Sequence, residues 1–460
     1  MKSLMCLLLV VGTACQSSRT ENVPTLQVQA SYTATLVYAL DGAIGTPRHN
    51  PGYLDWLLGP GLGLPSWLLE YQQRRAELAT LVDDGRGPHE PYLRAAYEAD
   101  NLDDLLLRLQ QQLAPELYSV VHKALLQADR HLSGRWPPMQ RMLDDGCRSL
   151  QELLESEGGK QVLRELALTT DVDPVELDAQ VLLIAKPTSS LSFAHHQGGT
   201  ILLEWSPTED SRKNAGLLFH ELAHLALHRS QASEQVEQSL AGVDQVGIVA
   251  ANYWNEVWAT TFGNGYAAWK LNPAFNLDDS FYNHPAIDAL ARDLFLRTLP
   301  HRALELDATF AQDLLETMQA VWPTPRWRMK DLFFRHVSMG DSADVLRNFS
   351  QRMQSAWASG RAPLVNAWHR PAHAPPHAPR VLLATLASLT TKAPLLRELN
   401  LSPPELQFRL SQRRAICHLG LDSDNVPWLL LVARDSTTLE RVVESLDPEM
   451  PVPAPGWFLP

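Results

Sequence analysis

The sequence predicts a mainly α-helical fold that carries a small sheet, an α+β arrangement, on three observations. Apolar residues recur at three-to-four spacing through most of Ser66 to Ala179 and again from Asn276 to Gly360, the period of helices with one buried face. Two short apolar runs, Val181 to Ala185 and Thr200 to Trp205, have strand length and stand directly before a long helical run. Beyond a proline-rich stretch, further strand-like runs alternate with helical ones in a small C-terminal α/β module.

At 460 residues, 45% apolar and 20% charged, the chain has the profile of a soluble globular protein with two or three domains. Its formal charge of −13 and the lack of a long basic run exclude a general nucleic-acid or anionic-membrane surface, since both need clustered Lys and Arg.

Residues 1–15 read as a secretory signal: Met1-Lys2-Ser3 brings one positive charge, Leu4 to Val11 a short apolar core, and Gly12-Thr13-Ala14-Cys15 a small-residue end. The apolar core is too short to span a bilayer. The segment resembles a bacterial lipoprotein signal, which implies lipid attachment at Cys15 and a membrane-anchored protein of the cell envelope, facing the periplasm or the cell exterior. Gly12 stands where such signals usually carry Leu, and Gly12 and Ala14 equally suit ordinary cleavage, so soluble secretion is the alternative. Polar residues 16–27 then read as a tether. Cys147 and Cys417 remain, and a disulfide between them is open. No CxxC or Cys-His cluster exists, so any metal site is built from His and carboxylates.

Residues 28–180 form a helical N-terminal region. Ser66 to Asp83, Asn101 to Leu132 interrupted at Pro115, Met139 to Glu157, and Asp173-Pro174 onward carry the helical period, several with Asp, Asn or Ser starts and Pro or Gly stops. Leu57 to Pro65 is apolar but full of breakers, a loop expected to lie on the core. Between the two strand candidates, His195-His196-Gln197-Gly198-Gly199 reads as a hairpin turn, with both His as turn residues.

The run Ala215 to His228 contains His220-Glu221-Leu222-Ala223-His224. Residues four apart share a helix face, so His220 and His224 aim two imidazoles at one point, with the Glu221 carboxylate beside it. Zinc held by neutral imidazoles activates a water, and a carboxylate that is not a ligand can take its proton. The flank is Leu, Phe and Ala on every side, a helix buried all round. Buried imidazoles and a buried charge need partners, and one divalent cation satisfies them together. The competing reading is a surface helix with solvated His and a salt-bridged Glu. His228 continues the series but stands about 6 Å further along the axis, too far to join the same ion.

Two His leave a catalytic zinc short of one protein ligand. Glu256 is the only acid from Gly247 to Leu277, and it sits among Trp254, Val257, Trp258 and Phe262, where an unpaired carboxylate is costly. Glu234, Glu237 and Asp244 are nearer to His224 but belong to the polar stretch Ser230 to Gly247, read as a loop with solvated charges. His195 and His196 are the remaining alternatives.

These residues resemble the gluzincins, zinc metallopeptidases in which HExxH on one helix is completed by a Glu in an Asn-Glu pair on a second. Here 31 residues separate His224 from Glu256, a longer spacing than in thermolysin-like enzymes. The wording Gly216 to His224 with Asn255 to Thr260 looks more like a bacterial family of predicted aminopeptidases, often lipoproteins. The resemblance covers about 50 residues of the chain. It implies a zincin-like catalytic region, residues 181–366, with one zinc per chain on His220, His224 and Glu256 and with Glu221 as base. Thermolysin-like enzymes carry an Asp four residues after the ligand Glu to orient a ligand His; Thr260 stands there, so that support must differ. Metallopeptidases of this kind place a sheet edge by the zinc for an extended peptide to join, which makes Thr200 to Trp205 the candidate edge, an ordinary buried strand being the alternative.

Pro285 to Leu299, Arg302 to Trp322, Arg326 to His336 and Asp341 to Ser359 read as helices closing the region. Tyr253, His228, Tyr282 and His284 are unranked candidates for the oxyanion donor such chemistry needs. Residues 367–380, with His369, His373 and His377 among prolines, form a semi-rigid linker. In the C-terminal module, 381–460, Val381 to Leu386, Arg414 to Leu421 and Trp428 to Val432 read as strands, with helices near Leu395 and from Ser436 to Leu446.

The function expected is hydrolysis of peptide bonds in a peptide or protein substrate by metal-activated water. A non-catalytic exported binding protein and a zinc hydrolase of non-peptide amides are the alternatives; an intact Glu221 counts against the first. Substrate-gripping residues, and exo- against endopeptidase action, stay open.

Overall fold

The computed structural model describes residues 23–46, 52–79, 82–83, 88–187, 192–240, 245–298, 305–321, 328–329, 333, 337–340, 342–354, 364–365, 379–390, 401–421, 427–448, 450 and 456–458. The expectations for the signal and Cys15, for Asp244, for Leu395 and for the linker histidines fall outside these residues, as does most of Arg326 to His336. Among the described residues no helix is long and apolar enough to cross a membrane. The chain is α+β, mostly helical with small mixed sheets, and divides into two compact units. One comprises Met1–Ser233, Trp258–Phe281 and Phe295–Leu306; the other Glu234–Val257, Tyr282–Leu294 and Asp307–Pro460.

The first unit is built on strands β1 (Leu26–Ala30), β4 (Ala179–Ala185), β5 (Ala194–Gln197) and β6 (Thr200–Trp205); β2 (Val82–Asp83) and β3 (Pro88–His89) form a separate small ladder. The order is β1-β4-β6-β5, with β1, β4 and β6 parallel and β5 antiparallel at the edge. Parallel strands are usually covered on both faces, which is why β4 is a continuous Val-Leu-Leu-Ile-Ala run. On one face, Leu182, Ile184 and Leu202 join the core of α1 (Tyr32–Ala43), α2 (Tyr53–Leu58), α3 (Ser66–Arg74), α4 (Pro91–Glu98), α5 (Leu102–Gln112) and α6 (Pro115–Leu132). The sheet is also packed by α7 (Trp136–Glu155), followed by α8 (Glu157–Thr170), and by α9 (Ser211–Arg229). Caps fix several starts: Ser31 accepts from the Ala34 amide, Asn101 from Asp104 and Asp210 from Arg212.

Several expectations change here. The helical pattern before β4 breaks after Thr170 and leaves only a 3-10 turn, Pro174–Leu177. β1 straddles the stretch read as a tether and the start of the region read as helical, and it pairs residue for residue with β4 from Leu26↔Ala179. Thr200–Trp205 is not an edge: β6 is bonded on both sides, and the edge beside it is β5. His195 and His196 are strand residues of β5, and the turn is Gly198-Gly199 alone, where Gly198 takes φ 57°. In Leu57–Pro65, Leu57 is buried at the end of α2 and Leu64 packs on the core, while Leu62 stands exposed.

The second unit includes α10 (Gln231–Leu240), most of α11 (Gln245–Ala259) and most of α13 (Pro285–Thr298). α11 runs on without a break as a π-helical stretch, Thr260–Ala267, and then α12 (Ala268–Leu271). The polar stretch read as a loop after His224 is therefore largely helix α10, anchored by buried Val236 and Leu240. α14 is Ala308–Val321 and α15 is Ala343–Gln354. The second sheet orders β12 (Gly456–Phe458), β10 (Ala415–Leu421), β11 (Pro427–Ala433), β9 (Arg380–Thr385), β7 (Val337–Gly340) and β8 (Leu364–Val365). Alternation along its strands sorts two cores: Val381, Leu383, Leu429 and Leu431 on one face, Leu382, Ala384, Leu430 and Val432 on the other. Burying each such Leu contributes about 1.5–3 kcal/mol relative to exposure. Cys147 and Cys417 are both free thiols.

Candidate metal centre

α9 is apolar on all sides, so its polar residues are carried into the interior: His220 and His224 are 3% and 4% exposed, and Glu221 is buried with them. The two Nε2 atoms stand 3.1 Å apart, with the rings nearly perpendicular. Two nitrogens bound tetrahedrally at 2.0–2.1 Å to one zinc would be roughly 3.3 Å apart, so the pair fits a shared ion. His220, His224 and Glu256 each offer one ligand atom, these atoms all lie within 4.8 Å of one another, and all three residues are buried. Two imidazoles and a carboxylate form a donor set that suits zinc.

Within the first unit, the stretch that continues the Glu256 helix meets α9 through glycine. Four residues past Glu256 the helix widens into the π-helical stretch, which packs on α9. There a Cβ on Gly263 would lie 2.5 Å from His220 Cα and 2.8 Å from the Gly216 carbonyl oxygen, so backbone meets backbone at the level of the first histidine. Such π-bulges are frequent at functional sites. Glu256 is oriented by Tyr282, whose hydroxyl donates to Oε2 at 3.2 Å. Thr260 is buried, and among the described residues its hydroxyl has no hydrogen-bond partner, so it does not steady either candidate histidine.

The other sequence candidates separate clearly. Glu234 is exposed on α10 and Glu237 half-buried. His228 is exposed in the last turn of α9. His284 caps α13 by accepting from the amides of Ala286 and Ile287, and Tyr253 stacks on its ring at 6.2 Å. Of the oxyanion candidates, Tyr282 is bonded to Glu256, a candidate ligand.

Sequence reasoning kept His196 only as a turn residue and fallback ligand, and missed its contact with Glu221. Its Nδ1 lies 2.8 Å from Glu221 Oε2, and its ring stacks on His224 at 5.5 Å and 22°. His195, on the opposite face of β5, bonds the Tyr97 hydroxyl at 3.2 Å and stacks on Tyr38. The signal was present: a two-residue Gly-Gly hairpin pairs His196 with Ile201, and directly paired residues project from the same face of a sheet.

No family model matches the chain, and neither the curated proteins nor the solved structures provide a match.

Proposed function

We propose that this chain is a zinc-dependent metallopeptidase of the gluzincin kind, aminopeptidase-like and with a zincin-like core, exported and lipid-anchored at Cys15 in the bacterial cell envelope. The observation that carries the reading is the buried set His220, His224 and Glu256, with ligand atoms within 4.8 Å of one another and Glu221 between the two histidines on one helix. His220 and His224 would hold the ion through their facing Nε2 atoms and Glu256 through a carboxylate oxygen. When bound, zinc supplies a Lewis acid that polarises a carbonyl and brings the pKa of a water to about 7. Glu221 takes a proton from the attacking water as its oxygen bonds to the carbonyl carbon, and gives that proton to the amine as the C–N bond breaks. Tyr282 holds the Glu256 carboxylate in place through its hydroxyl.

A peptide library incubated with the zinc-loaded protein tests the reading. Wild type is expected to cleave peptide bonds, and Glu221→Gln to keep its zinc while turning over at least ~100-fold more slowly. A zinc-loaded wild type that cleaves only non-peptide amides, or nothing, contradicts it; normal turnover by Glu221→Gln removes Glu221 from the mechanism.

A further inference from the structure

We propose that His196 is a positioning residue for Glu221, holding the carboxylate in the orientation from which it takes a proton. The two side chains, both nearly buried, meet at 2.8 Å between Nδ1 and Oε2. An ionised carboxylate only accepts, so Nδ1 carries the hydrogen and donates it. Left to itself a Glu side chain samples many rotamers, and a base must be held within about half an ångström of its working position to be effective. The hydrogen bond to Oε2 narrows the range of orientations open to the carboxylate.

The donor is itself held firmly. β5 is paired to β6 through His196↔Ile201, and its ends are tied down. Before it, the Phe193 amide donates to Glu204 Oε2 at 3.0 Å; at its end, Gln197 Oε1 accepts from the Glu90 amide at 3.0 Å. The His196 ring is also stacked against His224, so a single imidazole on an edge strand touches both the base and one of the candidate ligands. All of these residues but Glu90 and Phe193 lie on β5, β6 or α9, and all belong to the first unit.

The consequence for turnover rests on the peptidase reading; the contact itself does not. Removing the donor without adding charge, in His196→Ala, is expected to lower kcat roughly 10- to 100-fold through misplacement of the base, with KM and zinc content unchanged. The Asn amide nitrogen can occupy the place of Nδ1, so His196→Asn is expected to recover most of the lost kcat. A second readout uses the metal-free protein: thermal unfolding of His196→Ala, Glu221→Ala and the double variant, where the double shift in Tm should fall short of the sum of the single shifts. Additive shifts, or an Asn variant as slow as the Ala variant, overturn the proposal. A wild type that holds zinc yet cleaves no peptide overturns the peptidase reading alone, and the coupling in the metal-free protein still decides whether His196 holds Glu221.

Discussion

Glu204 on β6 is 1% exposed, and its oxygens accept from the Tyr53 hydroxyl at 2.9 Å and the Phe193 amide at 3.0 Å. Burial is the main influence on it and pushes its pKa up to about 7, with Tyr53, Phe193 and Lys186 pulling the other way. The folded value lies above the ordinary carboxylate value of 4.5, so the folded chain binds the extra proton between them. Stability from this group is fully present below about pH 4.5 and is lost as the pH rises through about 7. Urea unfolding from pH 5 to 8 should therefore show wild type losing up to about 3 kcal/mol that Glu204→Gln does not lose. A variant with the same pH slope as wild type contradicts this. Glu204 was not singled out from the sequence, because an acid inside an apolar strand says nothing of which hydroxyl and amide will meet it. His220, Glu221, His224 and Glu256 were legible, since helical spacing alone sets the first three on neighbouring positions and an apolar neighbourhood marks the fourth. For His196 the Gly-Gly hairpin gives the face but not the partner, which lies 25 residues away and is reached only through the packing of sheet on helix.

At the scale of elements, the contact between α9 and the π-helical stretch after α11 depends on Gly263, where an added Cβ would press on the His220 backbone. Backbone cannot swing aside as a side chain can. Gly263→Ala should destabilise the fold by about 2–3 kcal/mol and weaken zinc binding, both read from denaturant and metal titrations. At Gly216 a Cβ would meet Ala268 Cβ at 3.1 Å and backbone atoms of Asn264 and Gly263 at 3.3 Å, contacts that need only a small shift, so Gly216→Ala should cost less. Equal effects at the two positions would show that the crossing is looser than described. α9 was legible because an apolar run of its length has few other readings. α10 was not: among polar residues, Val236 and Leu240 alone carry the buried spacing. β5 escaped because Ala-His-His-Gln lacks the apolar alternation of a strand, and its existence follows from the Gly-Gly turn and from pairing with β6.

For the whole molecule, the α+β class followed from periodicities that survive in both units, whereas strand order did not. β7 precedes the proline-rich stretch yet pairs in parallel with β9, with β8 added beyond it on β7, and parallel neighbours are separated by crossovers whose length and destination no local pattern records. Three side chains from two helices, His220, His224 and Glu256, offer the candidate ligand set. Zinc per chain, measured by elemental analysis on purified protein, tests that most directly. Near one zinc in wild type, loss of most of it in His220→Ala, His224→Ala and Glu256→Ala, and full retention in Glu234→Ala, Glu237→Ala and Asp244→Ala is the result expected. Full zinc occupancy in Glu256→Ala, with its helical content intact by circular dichroism, would contradict it.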